Sequence, residues 1–176
     1  EMLVDMVLNL AGKAFLPGVK PSAARLPENL KIVEIGTGSG CIAITLKLEL
    51  PQAIVVAYDI AESALAVAQQ NATRLSADVR FGRADLLDGV TDDFDIIVAN
   101  LPYVDIGWPW RSRELDWEPG LALYAGDSGL EIVKEMIEQA KNRAKYLVLE
   151  TDLCQHEMVK KYAEENGFSY EKTKGL

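Results

Sequence analysis

The chain has 176 residues, which suits one domain, or one with a small appendage, and provides a full hydrophobic core. Hydrophobic residues are 49% and charged ones 26%, which excludes wholesale disorder. The 27 Asp and Glu against 18 Lys and Arg leave a net charge of −9, which argues against a bare phosphate-backbone binder. Two cysteines, Cys41 and Cys154, with the lone His156 cannot form a Cys/His zinc tetrad, and a Cys154–His156 nucleophilic pair is only formally possible. No run has the ~20 apolar residues of a membrane span, and no signal-peptide pattern opens the chain. The expectation is a soluble, cytoplasmic protein with neither metal nor membrane attachment.

Glu1, Asp5, Asn9 and Lys13 recur every four positions around Leu3, Val4, Val7, Leu8 and Ala11, predicting a helix with one wet stripe. It opens without a cap, as if cut from something longer. Pro17, Gly18, Pro21, Ser22 and Pro27 then mark a loop, so residues 1–29 read as a leading helix and linker before a domain over 30–176. Short apolar runs at 31–35, 53–58, 79–81, 94–99 and 146–149 predict strands. Helices are expected over 41–49, 61–75, 129–144 and 153–166. Alternating strands and helices, with β-branched runs short enough to be buried on both faces, indicate an α/β fold around a parallel sheet. Residues 101–128 lack periodicity, and a loop of that length in a compact domain is usually functional.

Glu34-Ile35-Gly36-Thr37-Gly38-Ser39-Gly40 follows the first strand and opens a helix. Its glycines permit positive φ and close approach of a ligand to backbone amides, although a tight structural turn would also use them. The dinucleotide fingerprint wants a small residue, usually Gly, three after the second Gly. Here Cys41 stands there and Gly40 comes one place early, favouring a nucleoside ligand without pyrophosphate over NAD. Asp59, nineteen residues after Gly40, ends the second strand and can accept both hydroxyls of a ribose, or simply cap the helix beginning near Ala61. Asp85 ends the third strand, placed either to accept from an adenine amino group or to make a turn.

The strand at 94–99 runs straight into Asn100-Leu101-Pro102-Tyr103. This combination suits a planar, weakly nucleophilic NH2 group attacking an electrophile such as a sulfonium methyl. The Asn100 side-chain oxygen and the Leu101 carbonyl can accept its two hydrogens and draw density onto nitrogen. Pro102 keeps Leu101 extended, and Tyr103 can stack on the flat substrate. A strand-ending Asx or proline turn is the plain alternative.

With these motifs in place, the sequence resembles the HemK/PrmC family of S-adenosylmethionine-dependent methyltransferases, which methylate the glutamine of the GGQ loop in peptide-chain release factors. Glu1-Met2-Leu3-Val4 resembles the family's E-x-L-V helix, and Glu34 to Ala43 its E-x-G-T-G-S-G-x-I-A motif. Asn100 to Tyr103 stands where the family has N-P-P-Y. Glu118-Pro119 with Ala122-Leu123, Gly126 with Gly129-Leu130, Leu149-Glu150 with Gln155, and Gly167-Phe168 resemble its later motifs. The resemblance implies a class I methyltransferase (Rossmann-like) fold: a doubly wound, mostly parallel sheet flanked by helices, here expected to lack its last strand and so to have an incomplete edge. It implies S-adenosylmethionine as cofactor and S-adenosylhomocysteine as product, held by Glu34, Gly36, Thr37, Gly38, Gly40, Asp59 and Asp85 together with Asn100. Asn100, Leu101, Pro102 and Tyr103 would position the substrate amide. A release factor is the implied partner of a monomeric enzyme, with no direct nucleic-acid contact.

Three departures stand out. Leu101 replaces the family's first Pro, while the carbonyl the chemistry uses survives that change. Ala125 and Ser128 replace a Gly and an Asp of the later loop. The family's amino-terminal helical domain is not in this sequence, so release-factor docking would be lost. N-L-P-Y specifically resembles the turn of rRNA adenine dimethyltransferases, making N6-adenine methylation of rRNA or DNA the nearest alternative; a catalytically impaired cofactor-binding fragment is the other. Trp108, Trp110 and Trp117 read first as anchors for the long loop, and Glu150 as either a site residue or a helix cap.

Overall fold

The computed structural model describes residues 2–12, 29–102 and 130–170. Five strands form one sheet: β1 (Lys31–Ile35), β2 (Ile54–Asp59), β3 (Arg80–Arg83), β4 (Phe94–Ala99) and β5 (Ala144–Leu149), all parallel, in the order β3-β2-β1-β4-β5. The helices are α1 (Met2–Leu10), α2 (Cys41–Glu49), α3 (Glu62–Leu75), α4 (Glu131–Ala140) and α5 (His156–Glu165), the last preceded by a 3-10 turn at Leu153–Gln155. The central strand β4 is buried along its whole length and β1 from Ile32 on, while edge strand β3 has no fully buried residue. This gradient explains why the middle strands read as mostly apolar runs.

The chain divides into two compact units, Glu1–Ala99 with Asn142–Leu149, and Asn100–Lys141 with Glu150–Leu176. The first holds the whole sheet with α1, α2 and α3. Leu3, Val4 and Val7 of α1 share a core with Ala43, Ile44 and Leu46 of α2 and with Ile32, Val55, Ile96, Val98 and Val148 of the sheet. Full burial of such a side chain is worth roughly 1.5–3 kcal/mol. In the second unit, α4 buries Val133, Met136, Ile137 and Ala140, the spacing of one helical face. The Lys134 ammonium lies over the Tyr162 ring of α5, and the Tyr162 hydroxyl donates to Glu138.

Several boundaries differ from the sequence expectation. The helix predicted over 129–144 stops at Ala140, because Asn142 adopts φ 62° and lets the chain turn into β5 two residues before the expected strand. The second strand takes in Asp59 and the third runs to Arg83, since parallel pairing continues through Asp59↔Arg83. The helix expected over 153–166 begins as the 3-10 turn. There Asp152 accepts from the Cys154 amide, and the Gln155 side chain accepts from the Asp152 amide, a capping box that gives Gln155 of the late motif a structural use.

Asn9 also departs from expectation. Placed on the wet stripe by its spacing, it is 4% exposed, and its Oδ1 is buried with no hydrogen-bond partner among the described residues. Packing of α1 onto α2, β4 and β5 decided which side faces inward.

Candidate cofactor site

In a parallel sheet, ligands bind outside the carboxyl ends of strands where the winding reverses. Here the reversal falls between β1 and β4, because the chain builds β1, β2 and β3 outward on one side and then returns to the other. The loop leaving β1 is the glycine segment. Gly36, Gly38 and Gly40 have φ of 70°, 55° and 82°, values that L side chains rarely adopt. The reasons differ at two of them. A Cβ at Gly38 would meet nothing within 4 Å, so that position faces open space. At Gly40 a Cβ would lie 3.0 Å from Ile44 Cδ1 and 3.1 Å from Ala68 Cβ, so this glycine lets α2 close on α3.

Four amides of this loop turn inward. Gly36 and Thr37 both donate to the Tyr58 carbonyl (2.9 and 3.0 Å), Gly38 donates to Asp59 Oδ2 (2.8 Å) and Gly40 to the Thr37 carbonyl (2.8 Å). At the start of α2, Ala43 donates to Glu34 Oε2 (2.9 Å) and Ile44 to the Gly40 carbonyl (2.9 Å). The amides of Gly36, Thr37, Gly38 and Gly40 thus hold the loop in shape. Thr37, expected beside the ligand through its backbone, has its N–H bonded to the Tyr58 carbonyl of β2 and its carbonyl to the Gly40 amide.

Two carboxylates brace this arrangement. Glu34, on β1, is 2% exposed; its Oε2 accepts from the Thr37 hydroxyl (2.6 Å) as well as from Ala43. Burial pushes the Glu34 carboxyl up to about 7; the Thr37 and Ala43 bonds resist this, and the nearby Asp59 charge adds to it. Glu34 thus lies beneath the loop as its internal tie. Asp59 accepts Gly38 N–H on one oxygen and Ala61 N–H on the other (2.9 Å). Its bond to Ala61 fixes the turn into α3 without being the helix cap that sequence reading offered as the alternative. Ala61 is itself the N-cap and has no side-chain cap bond; Asp59 also reaches the glycine loop. Each oxygen retains a lone pair for a ligand hydroxyl.

Asp85 is exposed, two residues past the end of β3, and its carbonyl accepts from Asp88 in a turn. Asn100 follows β4 directly and is exposed, Leu101 is buried and Pro102 half-buried. Tyr103, Trp108, Trp110, Trp117, Glu118, Ala125 and Ser128 lie outside the described residues. The structure therefore gathers Glu34, Gly36, Thr37, Gly38, Gly40 and Asp59 into one bonded group. It sets Asn100, Leu101 and Pro102 at the exit of β4, and leaves Asp85 in its own turn.

Sequence reading missed Tyr58 and Gly82. Tyr58 supplies the carbonyl that takes two loop amides, and its ring lies across Gly82, its partner in the β2–β3 register. A Cβ on Gly82 would come within 2.6 Å of that ring. A glycine inside a strand pattern is the signal for such an approach. Among the described residues no cluster of His, Cys, Asp and Glu could hold a metal ion, and no helix is long and apolar enough to cross a membrane.

Comparison with known proteins agrees with this geometry. The chain is 43% identical over 144 residues to a release factor glutamine methyltransferase of Lactococcus lactis, covering 81% of this chain and 48% of the relative. It is 39% identical over 160 residues to one from Neisseria gonorrhoeae, covering 86% and 58%. The chain thus spans about half the length of the relatives it matches. Among solved structures, a ribosomal protein L11 methylase from Lactobacillus delbrueckii superposes with TM-score 0.58 at 24% identity, covering 78% of this chain and 60% of that one. TrmN from Thermus thermophilus superposes with TM-score 0.60 at 20% identity, covering 90% and 40%. The architecture is that of the class I, Rossmann-like methyltransferases. The methyltransferase small domain profile matches residues 14–107, more than half of the sequence, and the chain belongs to that family.

Proposed function

We propose that this chain is the catalytic part of an S-adenosylmethionine-dependent N-methyltransferase whose acceptor is the glutamine amide in the GGQ loop of a peptide-chain release factor. One observation carries the reading: a glycine loop braced by carboxylates leaves β1 at the winding reversal, and Asn100-Leu101-Pro102 leaves β4, whose Ala99 is the register partner of Ile35. The names of the relatives support the acceptor.

When bound, S-adenosylmethionine supplies a sulfonium methyl as electrophile and departs as S-adenosylhomocysteine. Asp59 would accept the ribose hydroxyls, and the open space at Gly38 would leave room for the nucleoside. Asp85 accepts from the adenine amino group. The Asn100 side-chain oxygen and the Leu101 carbonyl take the two hydrogens of the acceptor amide, which turns its nitrogen lone pair toward the methyl carbon. Pro102 holds Leu101 extended, and an aromatic such as Tyr103 would suit stacking on an amide plane. As the new C–N bond forms, the nitrogen loses one proton to water, so no strong base is required. The enzyme acts as a cytoplasmic monomer on protein, and its net charge of −9 disfavours an RNA acceptor.

The test is transfer of radiolabelled methyl by the full-length protein to a release factor and, in parallel, to rRNA. Label on the release-factor glutamine supports the reading, whereas label on adenine N6 replaces it with nucleic-acid methylation. Binding of S-adenosylhomocysteine with no transfer to either identifies a binding protein. Asn100→Ala should lower transfer by on the order of a hundredfold or more, a larger loss than the one it causes in S-adenosylhomocysteine affinity.

A further inference from the structure

Asp59 can serve a nucleoside only if the turn that carries it keeps its place, and that turn, Asp59-Ile60-Ala61-Glu62, is itself gripped. Arg83, the last residue of β3, is the register partner of Asp59. Its Nε donates to the Ile60 carbonyl (3.2 Å), and its Nη1 donates to Glu62 Oε1 at the start of α3 (3.1 Å). The next amide, Ala84, donates to the Asp59 carbonyl (3.2 Å). One guanidinium therefore ties the middle of the turn to its far end, while the backbone after β3 holds its beginning.

We infer that Arg83 is a positioning residue for the cofactor site: by holding the β2–α3 turn it keeps the Asp59 carboxylate aimed at the glycine loop. The inference rests on the cofactor reading above. Arg83 and Glu62 are both well exposed, so their ion pair alone contributes little. The fork geometry of the guanidinium is what matters, because it bonds a backbone carbonyl and a side chain together; a lysine ammonium has no such planar fork.

The experiment is calorimetric titration of the full-length protein with S-adenosylhomocysteine for wild type, Arg83→Ala, Asp59→Asn and the double variant. Amide hydrogen exchange at Gly38 and Ala61 without ligand is measured alongside. Arg83→Ala should weaken binding by about three- to tenfold and speed exchange at both amides, with methyl-transfer kcat retained and KM for the cofactor raised. In the Asp59→Asn background, Arg83→Ala should cause no further loss, because its effect passes through that carboxylate. Glu62→Gln should cost less than Arg83→Ala, since the bond to Ile60 remains. Wild-type affinity in Arg83→Ala, or an undiminished second loss in the double variant, overturns the inference and leaves the cofactor reading intact. Unchanged exchange at Gly38 and Ala61 overturns it without reference to any ligand. Failure of the wild type to bind sinks the cofactor reading, and this inference with it.

Discussion

Glu34, one residue from the carboxyl end of β1, and Asp95, one residue from the amino end of β4, are both largely withdrawn from water, yet their acidities move in opposite directions. Asp95 accepts from the Lys31 amide (3.0 Å) and the Lys145 ammonium (2.7 Å). Burial alone would raise its carboxyl, but those partners outweigh burial and hold it below the usual carboxylate value. Glu34 has a hydroxyl and an amide for partners, and burial lifts it to about 7. The amino edge of the sheet is thus tied by a charge with its counter-charge. The carboxyl edge keeps a carboxyl without a cation beneath the glycine loop, at a cost in stability. The two ends of one sheet thus differ in how each treats a withdrawn acid.

The contrast can be broken first at Glu34. Its folded value near 7 lies above the unfolded 4.5, so the native state binds more protons between those values and stability falls as pH rises through that window. The gap corresponds to about 3 kcal/mol. Glu34→Gln retains an oxygen for Thr37 and Ala43 and removes the charge. Urea unfolding between pH 5 and pH 8 should show this decline in the wild type and its loss in the variant. An unchanged slope would mean that another group titrates.

Asp95→Asn gives the opposite signature and a smaller effect. Because the Asp95 carboxyl is held below its unfolded value, its contribution is complete above that unfolded value near 3.8 and disappears as pH falls through the lower folded value. Because Lys145 is 61% exposed, the expected loss at pH 7 is only about 1.5 kcal/mol. The acid limb of a stability-versus-pH curve should flatten in the variant. Smaller again is Asn9→Leu, which tests whether α1 carries a similar cost for an unpaired polar atom. Replacing its orphaned Oδ1 should raise stability by roughly 1 kcal/mol, read as a higher urea midpoint at constant slope.

Much of this was legible beforehand, for identifiable reasons. The runs at β1 and β4 are mostly apolar because both faces are covered, so their existence and parallel pairing could be read from composition despite Glu34 and Asp95. Gly36, Gly38 and Gly40 announced positive φ because few residues other than glycine tolerate it. The direction of the loop amides was not legible, since it depends on the Tyr58 carbonyl and the Asp59 carboxylate arriving from β2. Arg83 gave no sign of its role, because its partners Ile60 and Glu62 lie more than twenty residues away along the chain. The end of α4 was misjudged because a single left-handed residue, Asn142, outweighed a continuing apolar period.

Local chemistry settled the kinds of element, the order in which they occur and the types of residue at the two turns, since hydrophobic period and glycine conformation act over a few neighbouring positions. Folding in three dimensions settled which donors meet which acceptors: that loop amides bond inward, that Glu34 is buried and Asp59 bridges two turns, and that Asn9 faces the core. Those outcomes require strands distant in sequence to lie side by side, and no local preference encodes a partner that the rest of the sheet must deliver.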